Sequence, residues 1–263
     1  MWMWALLPVC LAVFGTVGIW TVLAVAVSNG SVNLTEGVPY ISKCGTYPPQ
    51  SCLFSQICSI SSVLALWIVA IRFQQIRDCG NHGKANAASV VLGFISSIGI
   101  SIIGNFQQSI LKNIHHLGVF LAFFLGLAYF WVQLFLTYRA PPSPDRCWVG
   151  PARATCCILC TILVIASILP NDRKLQTERR KRKGRTHTHT HTRTLVVLHN
   201  TGSPSWAAVC EWALVMLVFC LFGLFAAEFR HIDCHQLTVQ RAALADQRNT
   251  ASLEVNGYVA NAL

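Results

Sequence analysis

The sequence has little charge for its length. Only 11% of its 263 residues are Asp, Glu, Lys or Arg, against 54% hydrophobic residues, whereas soluble domains carry about 25% charged residues. Acidic residues are the scarcer kind, with 10 Asp and Glu against 20 Lys and Arg. This composition excludes an ordinary soluble domain and predicts a polytopic membrane protein.

Motifs for catalysis and phosphate binding are also missing from the sequence. It contains no GxSxG elbow, no glycine-rich phosphate loop and no HExxH pair, which excludes the commonest hydrolase and nucleotide-binding signatures. We therefore predict that the protein is not an enzyme. It is expected to have no catalytic residues, no metal site, no cofactor and no nucleic-acid partner.

Uninterrupted apolar segments are abundant, and each is long enough to cross about 30 Å of hydrocarbon. We place six spans at about 4–27, 52–71, 85–104, 117–138, 149–169 and 206–227, within a membrane domain over 4–229. Barrel strands would be shorter and would alternate in polarity, so the runs favour helices. The predicted fold class is all-α, with six transmembrane helices in the lipid bilayer.

Lys and Arg residues collect on one side of these spans. Nine lie there, Arg72, Arg77, Lys84, Arg139, Arg146, Arg153, Arg230, Arg241 and Arg248, against Lys43 and Lys112 opposite. Because the basic side of a membrane protein faces the cytosol, we predict that both termini are cytosolic. Residues 230–263 are predicted to form a flexible cytosolic tail.

A basic low-complexity segment, "RKLQTERRKRKGRTHTHTHTRT", interrupts this pattern before the sixth span and adds nine Lys and Arg. Alternating His and Thr is what a CA dinucleotide repeat encodes, and removing about 169–195 joins "ILVIASI" to "VVLHNTGSPSW". We interpret 169–195 as a non-family insertion from a retained intron or a gene-model error. The alternatives are a nuclear-import signal and a metal-binding His tract.

The loop over 28–51 is predicted to be extracytosolic and carries several candidate sites. Cys44 and Cys52 would form a disulfide on an oxidising side of the membrane; the alternative is two free thiols. Two sequons place candidate glycosylation sites at Asn33 and Asn29, with Asn29 closer to the bilayer.

Two polar residues follow the third span and could hold this loop. Asn105 and Gln107 in "GNFQ" are candidates for hydrogen bonds that dock the loop against the bundle. Ordinary helix termination in water explains them equally well. Glu211 lies about one turn inside the sixth span, next to Trp212, and we expect it to face water at the membrane interface.

A cluster of cysteines opens the fifth span, in "CCILC" over 156–160. Its CxxC lies on an apolar helix, so small packing residues are the favoured interpretation over a redox pair. Cys156 and Cys157 are near the predicted cytosolic end of the span. Palmitoylation of these two thiols is a second possibility.

Four short stretches resemble one protein family in order and spacing. They are "PYISKCGTYPPQSCLFSQ" at Pro39–Gln56, "IGNFQ" at Ile103–Gln107, "HLGVFLAF" at His116–Phe123 and "CEW" at Cys210–Trp212. They resemble the family that joins damage-regulated autophagy modulators, the transmembrane protein 150 group and yeast Sfk-type proteins. The transmembrane protein 150 group is the nearest branch.

This resemblance implies a multi-pass protein of the plasma membrane and of endosomal, lysosomal or autophagosomal membranes that modulates macroautophagy and cell survival. A non-enzymatic regulator would act by lateral association with membrane or cytosolic proteins that remain to be identified, and small-residue stretches such as "GFISSIGISIIG" permit close helix packing. The alternatives are a channel or channel-modulating subunit, which would need a polar path, and a membrane scaffold for phosphoinositide-kinase recruitment.

Overall fold

The described residues of the computed structural model are all in helices and connecting turns. The structure describes residues 3–78, 83–139, 145–183 and 206–230, with side chains in the third range as far as 167. The helices are α1 (Met3–Ser28), α2 (Ile41–Cys44), α3 (Gln50–Asp78), α4 (Lys84–Asn105), α5 (Lys112–Val119), α6 (Gly126–Arg139), α7 (Arg146–Lys183), α8 (Trp206–Gly223) and α9 (Phe225–Phe229). A 3-10 turn (Leu34–Glu36) lies in the first loop, and a π-helical segment (Phe120–Leu125) joins α5 to α6.

Six of these helical stretches are long and apolar enough to cross a membrane. They are Met3–Ser28, Gln50–Asp78, Lys84–Asn105, Lys112–Arg139, Arg146–Ser167 and Trp206–Phe229. The predicted all-α fold with six spans is therefore confirmed.

The helix of the fifth span, α7, differs from the prediction at its C-terminal end. We expected it to stop at Leu169, but α7 continues through Pro170 to Lys183. The remainder of the predicted insertion, 184–195, lies outside the described residues, as does the predicted tail beyond Arg230. Both interpretations stay predictions.

Small residues on α4 bring neighbouring helices into close contact. A Cβ atom added at Gly104 would lie 2.4 Å from the Cβ of Cys58, and one added at Gly93 would lie 2.6 Å from Cγ2 of Val69. Such approaches increase van der Waals contact where no hydrophobic effect drives helix association. The "GFISSIGISIIG" stretch therefore packs closely within the bundle, and its role in lateral association with other proteins stays a prediction.

The fourth span contains the π-helical segment, Phe120–Leu125, near its centre. A π-helical turn leaves the regular hydrogen-bond ladder and requires a substitute partner for a backbone group. Ser96 of α4 supplies one, since its hydroxyl donates to the carbonyl of Ala122 at 3.0 Å. Gly126 permits this approach, because a Cβ there would lie 2.8 Å from the Ser96 Oγ.

A buried ion cluster joins three helices at one end of the bundle. Arg153 donates from Nη2 to Oε2 of Glu228 at 2.7 Å, and Arg72 donates from Nη2 to Oε1 at 2.9 Å. The exposed fractions of these side chains are 0%, 6% and 4% for Arg153, Arg72 and Glu228. Buried charges of this kind are tolerated only when they are paired and hydrogen-bonded.

Polar and aromatic neighbours complete the ion cluster. The Nε of Arg72 donates to Oε1 of Gln133 at 3.1 Å, and Thr137 donates to Oε1 of Glu228 at 3.3 Å. Phe225 lies beneath both guanidinium groups, with its ring centroid 4.6 Å from Cζ of Arg153 and 5.7 Å from Cζ of Arg72. Cation–π contact adds to the ionic attraction in a desolvated site.

We predict that Glu228→Gln destabilises the protein by about 3–5 kcal/mol, because it leaves two buried arginines without a counter-charge. Thermal unfolding of the purified chain in detergent measures the change. Arg139→Gln is the control: Arg139 is exposed and its guanidinium lies over the Phe135 ring, so its replacement should cost less than about 1 kcal/mol. Equal losses for the two variants would contradict a structural role for the cluster.

Candidate functional site

The first loop is docked on the start of the sixth span. The indole Nε1 of Trp212 donates to the carbonyl of Pro39 at 2.9 Å. Trp20 of α1 packs against the same indole, with ring centroids 4.9 Å apart. The loop also contributes Val32 and Ile41 to a buried apolar cluster that includes Trp212. The loop is therefore part of the folded core.

Glu211 provides a second contact with the docked loop. Its carboxylate faces the backbone amides of Ile41 and Ser42 at the start of α2. Glu211 is half-buried, because the loop folds over it, whereas we expected it to face water. The two stretches that carried much of the family resemblance, "PYISKC" and "CEW", contact each other in space.

The predicted docking residues act differently from what we expected. Asn105 donates from Nδ2 to the Ser101 carbonyl at 2.8 Å and to the Ser59 Oγ at 3.2 Å, and its Oδ1 accepts from Ser55 at 2.8 Å. These bonds hold α4 to α3 and do not reach the loop. The backbone carbonyl of Gln107 accepts from two amides in a turn, those of residues 110 and 111.

The neighbouring residue, Gln108, makes the docking contact that we assigned to Asn105 and Gln107. Its Oε1 accepts from the hydroxyl of Ser42 at 2.8 Å. Sequence reasoning missed Gln108 because the helix ends at Asn105 and Phe106 is extended, which removes the helical periodicity. Glu211 and Trp212 carried a usable signal, namely an acid beside an indole inside an apolar run.

The two loop cysteines are both free in the structure. Cys44 is buried at the end of α2, whereas Cys52 is exposed in the first turn of α3. Burial, with the nearby Glu211 carboxylate as a smaller cause, raises the pKa of the Cys44 thiol to about 11. The predicted disulfide stays a prediction, and the contacts that hold the loop in the structure are of another kind.

Both candidate glycosylation sites are on the exposed surface of the loop. The Oδ1 of Asn33 accepts from the backbone amide and the hydroxyl of Thr35, at 3.1 and 2.8 Å. The Nδ2 of Asn29 donates to Oε1 of Gln50 at 3.3 Å, next to the end of α1. Asn33 is therefore farther from the bundle, and glycosylation of either residue stays a prediction.

The two candidate palmitoylation sites differ in exposure. Cys157 is 0% exposed and belongs to the main apolar core. Its position supports the alternative interpretation, a packing residue, because an acyl transferase needs an accessible thiol. Cys156 is half-buried, and its palmitoylation stays a prediction.

An interior cavity of about 110 Å³ lies between the docked loop and the spans. Ile41 and Ser42 of the loop line one end together with Glu211 and His115. Most of the remaining wall is apolar side chains from α1, α3, α4, the fourth span and α8. Within the described residues, no three His, Cys, Asp or Glu side chains are grouped to hold a metal ion.

We predict that Trp212→Phe weakens loop docking, because it removes the indole donor to Pro39 and keeps an aromatic ring. Loss of one buried hydrogen bond costs about 1 kcal/mol or more, so the loop should detach more often. In membrane vesicles with the loop on the outside, trypsin should then cleave after the exposed Lys43 several times faster than in the wild-type chain. Trp206→Phe is the matched control, because Trp206 on the same helix is 70% exposed. Identical cleavage rates for all three chains would contradict docking through Trp212.

The raised pKa of Cys44 gives a second prediction. Maleimide labelling of Cys44 should be slow near neutral pH and rise about tenfold per pH unit between about pH 7 and 10, because only the thiolate reacts. Mass spectrometry of the labelled peptides measures this rate, with the exposed Cys52 as the reference thiol. If neither cysteine reacts until a reductant is added, the two are bonded to each other and the free-thiol arrangement is wrong.

Comparison with known proteins places the chain in a family. A family model described as the Frag1/DRAM/Sfk1/Cwh43P N-terminal domain matches residues 3–232. The chain is 57% identical to "Modulator of macroautophagy TMEM150B" of Danio rerio over 95% of both chains. It is 39% identical to the Homo sapiens protein of that name over 90% of both, and 28% identical to "Transmembrane protein 150A" of Mus musculus over 89% of this chain and 86% of that one.

No solved structure matches the chain. The family match includes all six spans and the docked loop. The chain therefore belongs to the Frag1/DRAM/Sfk1/Cwh43P family.

Proposed function

We propose that the chain is a non-enzymatic, multi-pass membrane modulator of macroautophagy. The observation that carries this proposal is the 57% identity to the Danio rerio relative, which is named a modulator of macroautophagy, over 95% of each chain. The names of the relatives describe a modulator and indicate no catalytic activity. A role in cell survival rests on the family resemblance alone.

The docked loop is the surface that we propose for recognition. It is held by Trp212, Glu211 and Gln108 and exposes Tyr47 and Val38, which are 57% and 44% exposed. A surface of fixed shape binds a partner without first losing conformational entropy. We infer that the protein acts by association with other membrane proteins through this face or through its lipid-facing helices.

The proposed topology places both termini in the cytosol and the docked loop on the opposite side. The end of the bundle with Arg72, Arg153 and Arg230 would face the cytosol, in agreement with the excess of basic residues on that side. Asn33 would then be available to the glycosylation machinery. We propose residence in the plasma membrane and in endosomal, lysosomal or autophagosomal membranes.

The interior of the helix bundle is more typical of a regulator than of a channel. An aqueous path through a membrane protein is lined by polar groups or by rings of charge. The cavity below the loop has mainly apolar walls, and the two arginines of the ion cluster are bound to the carboxylate of Glu228 and do not line a path. A scaffold for phosphoinositide-kinase recruitment rests on the resemblance alone, since the predicted tail lies outside the described residues.

We predict that cells without this protein show altered autophagic flux, measured as turnover of a lipidated autophagosome marker with and without a lysosomal inhibitor. Re-expression of the chain should restore normal flux. Trp212→Phe should restore less than about half of the change, if loop release disturbs recognition, whereas Trp206→Phe should restore all of it at equal abundance. Flux that does not change on removal of the protein would overturn the proposed function.

A further inference from the structure

We propose that the cavity below the docked loop is a binding site for a small amphiphile with an amine head group and a short alkyl or single-ring body. The site lies inside the bundle, apart from the recognition surface proposed above. This proposal goes beyond the proposed function and does not depend on it.

The walls of the cavity fit a small apolar body. Ile57 of α3, Ile100 of α4, Phe123 of the fourth span and Val215 of α8 contribute to its lining. An apolar cavity of about 150 Å³ binds benzene in another protein, so a cavity of about 110 Å³ accepts a similar or slightly smaller group. The apolar walls favour a hydrocarbon body, because they offer little to replace the hydrogen bonds of a polar one.

The loop end of the cavity selects the head group. Glu211 lines this end, and the salt bridges found among the described residues do not include it. The Ser42 hydroxyl donates to Gln108 at 2.8 Å, which leaves its oxygen lone pairs as acceptors. A carboxylate and an acceptor oxygen together favour a cationic donor. A protonated amine supplies three N–H groups and forms charge-assisted hydrogen bonds with a carboxylate.

Ser61 adds a second observation beside the same cavity. It is one of the lining residues, and its side-chain oxygen is buried without a hydrogen-bond partner. Nearly all buried hydroxyls in folded proteins are hydrogen-bonded, so a small shift of this side chain would let it bond to a ligand atom in the cavity. Ser96, which lines the same wall, already donates to the Ala122 carbonyl.

Photo-crosslinking tests the proposal with the full chain in phosphatidylcholine nanodiscs. The probes are a four-carbon alkylamine that carries a diazirine on its chain and the matching alcohol. For the wild-type chain, mass spectrometry should place the amine label on cavity-lining peptides of α3 and α8. Excess butylamine should reduce this labelling roughly tenfold or more. Label spread evenly over lipid-facing residues, without competition, means partitioning into the bilayer only and overturns the proposal.

Three variants separate the contributions. Val215→Phe fills the cavity and should reduce labelling by both probes, whereas Val209→Phe, on the same helix at a position 43% exposed, should reduce neither. Glu211→Gln should reduce amine labelling roughly tenfold and affect the alcohol less; equal effects would contradict recognition of the amine by the carboxylate. Trypsin cleavage after Lys43 shows whether Glu211→Gln also releases the loop. The wild-type label map decides the outcome even if a variant fails to fold.

Discussion

The pairing of Glu228 with Arg72 and Arg153 is the interaction on which the bundle depends. Three charged side chains cannot enter a low-dielectric interior separately, because the desolvation of each costs several kcal/mol. They enter together only when the ends of α3, α7 and α9 meet. The requirement that both arginines reach the same carboxylate therefore fixes the relative depth of three helices, which apolar packing alone leaves free to slide.

The opposite end of the bundle is fixed by hydrogen bonds between the docked loop and the helices. The Pro39 carbonyl of the loop accepts from Trp212, and the Ser42 hydroxyl of the loop donates to Gln108, so both groups are hydrogen-bonded where the loop meets the bundle. Between these two ends the interior is mainly apolar and includes the cavity. Polar anchors at both ends and hydrocarbon-like packing between them agree with the demands of a bilayer.

Apolar run length predicted all six spans, because the hydrocarbon thickness constrains it directly. The ion cluster was not predicted, since Glu228 and Arg72 each lie one residue beyond the predicted ends of their spans and were counted as flanking charges. Loop docking was predicted through Asn105 and Gln107, whereas the side-chain contact found in the structure is made by Gln108. The extended backbone of Phe106 decides whether Asn105 or Gln108 contacts the loop. The length and composition of the apolar run do not determine the torsion angles of Phe106.

The π-helical segment over Phe120–Leu125 sets the rotational phase of the fourth span. Each residue of a regular helix turns the chain by about 100°, so one residue more or fewer in this segment rotates everything after it. Gln133 and Thr137, which bond to the ion cluster, lie after the segment, whereas His115 lies before it. Deletion of one residue from the π-helical segment would rotate the side chains of Gln133 and Thr137 away from the ion cluster and towards lipid. Length in this segment is therefore constrained more tightly than side-chain identity.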